Sequence, residues 1–179
     1  MRDWNVVISL HERQLHQALH RLRQLGPVSR TDFFNVLVMR VDDIEHLLET
    51  LRQQLADDPQ FAASVARVVP LTQTFNFRTI EVFETQAREA ILRWVPDVAG
   101  KRFHIRMHRR GFKGRLDSHD EERALADALL EALEASGQPG RIAFEDPDAI
   151  IAVETVGQRA GMSLWTREDM QHYPFLGLD

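Results

Sequence analysis

Residues 101–115 read KRFHIRMHRRGFKGR. From Phe103 to His108 apolar and polar residues alternate strictly, the period-two pattern of a strand with one buried face. Phe103, Ile105 and Met107 then turn to a core, and Arg102, His104, Arg106, His108 and Arg110 point the other way as a basic ladder. Gly111 and Gly114 open a loop behind it. The stretch holds seven cations (Lys101, Arg102, Arg106, Arg109, Arg110, Lys113, Arg115) and no acid. Since the whole chain carries −5, the other residues carry −12. An acidic body with one basic stripe concentrates positive potential where the average charge predicts repulsion from phosphate. A solvated basic strand without a partner is the plain alternative.

Downstream, Ser118-His119-Asp120-Glu121 has the Ser-x-x-Glu form of a capping box, and Leu125, Ala128, Leu129, Ala132 and Leu133 continue a helix to Gly137. A short Ile142–Phe144 element follows, then an Asp146-Pro147-Asp148 turn and a strand from Ala149 to Thr155. Gly157 to Gly161 is expected as a hairpin loop, with Met162–Trp165 returning. Upstream, Thr79 to Trp94 places Ile80, Phe83, Ala87, Ile91 and Trp94 on one helix face, so a domain boundary is expected near Asn76.

The first 75 residues alternate strand and helix in the same way. Trp4–Ser9 reads as a strand, Leu15–Leu25 as a helix stopped by Gly26-Pro27, and Phe33–Val41 as a second strand. Asp42-Asp43 starts a helix carrying Ile44, Leu47, Leu48, Leu51 and Leu55, a helical turn follows Pro59, and Val65–Leu71 is a strand that Pro70 keeps at a sheet edge. The class is α/β (α+β).

Composition removes several functions. With no cysteine there is no disulfide, thiolate nucleophile or thiolate metal site. Phosphate-loop, dinucleotide-fold and nucleophile-elbow motifs are missing as well. His104 and His108 lie about 13 Å apart along a strand, too far to share an ion. His16 and His20 have helical neighbour spacing but no obvious third ligand, so no metal and no cofactor is expected. Asp117, Asp120, Glu121 and Glu122 fit a helix start better than acid–base chemistry. Without an apolar run of membrane length or a signal-peptide core, the expectation is a cytoplasmic protein with no membrane partner.

The basic strand Arg102–Gly111, the capped helix from Ser118, and Phe144-Glu145-Asp146-Pro147-Asp148 leading into Ile150-Ile151-Ala152-Val153-Glu154 together resemble the THUMP family. Residues 1–75 resemble the ferredoxin-like domain that precedes THUMP in many such proteins, and 76–179 would be the THUMP domain with a mixed sheet. The combination is similar to stand-alone THUMP adaptors associated with tRNA cytidine acetylation. That resemblance implies binding of tRNA at its acceptor stem and 3′ end, on behalf of a separate tRNA-modifying enzyme, without catalysis by this chain.

The expected RNA contacts are Arg106, His108, Arg109, Arg110, Lys113 and Arg115 on phosphates, with Phe112 stacking on an unpaired base. Arg67 and Arg159 are weaker additions. Gly111-Phe112-Lys113-Gly114 has the Gly-x-x-Gly form of a backbone clamp, but a strand precedes it where KH domains have helices. Two other classes compete: a protein-interaction module docking a basic enzyme through acidic helices, and a small-ligand ferredoxin-like sensor.

Overall fold

The computed structural model describes residues 1–178. The chain divides into two compact units, Met1–Leu71 with Met170–Gly177, and Thr72–Asp169 with Leu178. Among the described residues no helix is long and apolar enough to cross a membrane.

The first unit runs β1 (Val6–Leu10), α1 (Leu15–Leu22), β2 (Val28–Arg30), β3 (Val36–Met39), α2 (Ile44–Asp57), α3 (Pro59–Ser64) and β4 (Val65–Pro70). Its antiparallel sheet has the order β2-β3-β1-β4, the split β-α-β arrangement of ferredoxin-like folds. Val6 and Ile8 bury with Leu19, Leu22, Leu47 and Leu51. The helix starts follow from their caps: the Asp43 carboxylate accepts from the His46 N–H at 2.9 Å, and Asp58 accepts from Gln60 and Phe61 just ahead of Pro59. Pro70 ends an edge strand, as expected. The strand expected over 33–41 is shorter, because the Thr31 hydroxyl accepts from the Phe33 N–H and donates to the Val36 carbonyl, folding Thr31–Asn35 into a turn. Val28–Arg30 supplies a strand that the Gly26-Pro27 stop signal had hidden.

The second unit runs β5 (Gln73–Asn76), α4 (Ile80–Leu92), α5 (Val95–Val98), β6 (Arg102–His108), α6 (Ser118–Ala135), β7 (Arg141–Ile142), β8 (Ala149–Val156) and β9 (Arg159–Thr166), followed by α7 (Arg167–His172). Its sheet is mixed, with the order β5-β9-β8-β6-β7 and β6 parallel to both β7 and β8. Phe103, Ile105 and Met107 bury in one cluster with Phe83 and Ile91 of α4 and with Leu125, Leu129 and Leu133 of α6, so the alternation in β6 does select a core face. β8 is buried at seven consecutive positions, the apolar run Ala149–Val153 and then Glu154 and Thr155, as befits its central place in the sheet.

Three local readings change. Gln73–Asn76 pairs with β9, so the second unit starts at Thr72. The cap of α6 is Asp117, whose carboxylate accepts from the Asp120 N–H at 3.0 Å; Ser118 is the first helical residue and Glu121 is turned inward and buried. The expected loop at 157–161 is a two-residue turn at Gly157-Gln158, because Arg159, Ala160 and Gly161 pair with Val156, Thr155 and Glu154.

Candidate nucleic-acid interface

Beyond β6 the chain turns through Arg109–Leu116, and its backbone explains the glycines. Gly111 has φ +105°, and a Cβ there would meet the Gly157 Cα at 3.2 Å; the Gly157 N–H donates to the Arg110 carbonyl at 2.8 Å. Phe112 also lies in the left-handed region, at φ +53°, a conformation that costs a bulky side chain about 1–2 kcal/mol. What holds it is ring packing, with centroids 5.2 Å apart, on buried Phe77. The Phe77 N–H in turn donates to the Gln158 carbonyl at 2.8 Å. The β5–α4 connection, the loop after β6 and the β8–β9 turn therefore meet at one end of this sheet.

That end collects cations. Lys113 and Arg115 are exposed, and the Arg115 guanidinium lies 5.2 Å from the Phe112 ring centroid. Arg109 is half-buried and donates to the Gly111 carbonyl, which orients its planar fork. Arg159 donates to the Asn76 side chain at 3.2 Å. Exposed Arg78 joins them, a residue that sequence reading passed over; it follows Phe77 and precedes Thr79, whose hydroxyl caps α4. The positive end of that helix adds to the same potential. A lone arginine ahead of a helix gives no periodic signal, and only the β5–β9 pairing assigns it to this end.

Other residues of the expected site have partners within the fold. Arg110 places Nη1 2.7 Å from a carboxylate oxygen of Glu154, which is fully buried, and His108 Nδ1 lies 3.6 Å from the other oxygen. His108 and Glu154 are register partners of parallel strands, so their side chains share a face. A carboxylate held in that environment needs a cation, and Arg110 is held as its counterion. Phe112 is half-buried, its ring packed on Phe77 and the Arg115 guanidinium beside it. The basic ladder is also incomplete. His104 is buried, its Nδ1 3.0 Å from the Ala143 carbonyl, and Arg102 lies within 3.8 Å of both Asp146 and Asp148.

Arg106 is the one exposed residue of β6. On α6, burial raises the Glu122 carboxyl pKa, against the pull of His119, the Met107 N–H, Arg106 and His104. Arg67 is half-buried on β4, with its stem against Gly177 of its own unit. His16 and His20 are exposed on α1, and among the described residues no group of three or more His, Cys, Asp or Glu is placed to hold a metal.

The sequence matches no family model and no curated protein. Solved structures share the fold. PH1313 from Pyrococcus horikoshii superposes with TM-score 0.55 at 10% identity, over 92% of this chain and 55% of that one. TrmN from Thermus thermophilus gives 0.58 at 16% identity over 90% and 45%, and a 4-thiouridine synthetase solved with RNA and ATP gives 0.57 at 12% over 92% and 42%. This chain thus spans about half the length of those structures. At such identities the likeness establishes architecture alone: a ferredoxin-like unit followed by a mixed-sheet unit, a THUMP-type fold.

Proposed function

We propose that this chain is a cytoplasmic tRNA-binding adaptor. It holds the acceptor stem and 3′ end for a separate modification enzyme, such as a cytidine acetyltransferase, and performs no chemistry itself. Arg109, Lys113 and Arg115 contact phosphates, with Arg106, Arg159 and Arg78 flanking them. His108, Arg110 and Phe112 shape the loop from within. The observation that carries this reading is the convergence of Arg109, Lys113 and Arg115, in a segment without an acid, with Arg159 and Arg78 at one end of this sheet. A fold shared with a 4-thiouridine synthetase solved in complex with RNA supports it.

Neutralising about four phosphates makes the affinity fall with salt at a log–log slope near −3.6, roughly a hundredfold weakening from 50 to 200 mM. Filter binding of total tRNA at those two concentrations tests this. An affinity indifferent to salt, or no binding at 50 mM, would sink the proposal and favour acidic helices docking a basic protein.

A further inference from the structure

Phe144 is 75% exposed, and the phosphate contacts proposed above leave it unused. Its position is not that of a loose loop residue. Just before it, the Ala143 N–H donates to the Phe103 carbonyl at 2.9 Å. Just after it, Asp146 sits at φ +46° in a turn gripped by Arg167, whose Nε reaches the Asp146 carboxylate at 3.0 Å and whose Nη2 reaches its carbonyl at 2.9 Å. The Arg102 N–H donates to the Asp148 carboxylate at 2.9 Å. Against the Phe144 ring lies the imidazole of His104, with centroids 5.3 Å apart and planes at 41°. His104 is itself immobilised by burial and by its bond to the Ala143 carbonyl. An aromatic ring is therefore held out to solvent on a fixed support.

We propose that Phe144, backed by His104, is a stacking platform for an unpaired nucleobase of the bound RNA; this rests on the RNA-binding reading above. Charge favours a base over a phosphate here. Glu145 and Asp146 are exposed beside the ring, which disfavours an anion, while the π face of any base carries no net charge to repel. Spacing agrees as well. His104 lies about 13 Å along the strand from the loop after His108, and exposed Arg106 stands between them. A single strand whose phosphates meet Arg109, Lys113 and Arg115 can pass Arg106 and lay a base on Phe144. Stacking of this kind tolerates any base, so the platform recognises that the RNA end is unpaired and not its sequence.

The test uses the full chain and two RNAs with the same stem, one blunt and one with a four-nucleotide 3′ tail. Phe144→Ala should weaken the tailed RNA by about 5- to 100-fold, leave the blunt RNA and the salt slope unchanged, and melt as the wild type does. Phe144→Trp should restore tail preference. If Phe144→Ala binds both RNAs as the wild type does, or weakens both equally, the platform is refuted while the RNA reading stands. If the wild type binds neither RNA at 50 mM salt, the RNA reading itself has failed.

Discussion

The two ends of β6 carry similar residues with opposite fates. At its start, Arg102 is held by Asp146 and Asp148, which Arg167 also grips. At its end, Arg110 is taken by buried Glu154, yet Arg109, Lys113 and Arg115 follow in a loop without a carboxylate. The count of basic residues therefore does not locate a site. Whether the fold brings an acid to each cation does, and that depends on which strand lies beside β6.

The comparison breaks most readily at Glu154. Replacing it with Ala leaves Arg110 without its buried counterion and should cost about 3–5 kcal/mol in the stability of the second unit, read by denaturant unfolding. A loss under about 1 kcal/mol would mean that Arg110 is not tied down and belongs with the ligand-facing cations.

A smaller effect sharpens the contrast from the acidic side. Burial, then the neighbouring Glu84, Asp120 and Asp117, push the Glu121 carboxyl up to about 7. Its folded pKa thus exceeds the unfolded value, so its contribution favours folding below about pH 4.5, declines as pH rises toward 7, and is flat beyond. Glu121→Gln should remove that decline, stabilising the second unit by about 1–3 kcal/mol at pH 8 and by nearly nothing at pH 4.5. Melting curves at the two pH values check this, and an equal change at both would assign the effect to packing instead.

The smallest effect is expected at Arg102. Its ion pairs are partly exposed, so Arg102→Ala should cost under about 1 kcal/mol and leave the salt slope of tRNA binding unaltered. A slope reduced by about one would place Arg102 among the phosphate contacts and erase the difference between the ends.

Much of the architecture was legible because periodicity reports burial. The alternation in Phe103–Met107 picked the core face of β6, and the leucines of α2 and α6 marked their buried stripes. The short strands β2 and β5 were missed, since three or four residues carry too little pattern and pair only through distant partners. In the candidate site, Lys113 and Arg115 were legible from the glycines that expose their loop. The roles of His108, Arg110 and Phe112 were not, because Glu154 lies 44 residues beyond Arg110 and Phe77 precedes Phe112 by 35. Period two says that a side chain leaves the core face; what waits on the other face is a matter of strand order.

The central claim is that the loop end of the second unit, and not positive charge in general, binds tRNA. Its most direct test compares two charge-matched variants by salt titration of tRNA affinity: Lys113→Ala with Arg115→Ala, and Arg88→Ala with Arg123→Ala, the latter exposed on α4 and α6. The account predicts that the loop variant loses about two from the log–log salt slope while the helix variant keeps the wild-type slope. Equal slopes for the two variants, or a larger loss for the helix variant, would contradict it.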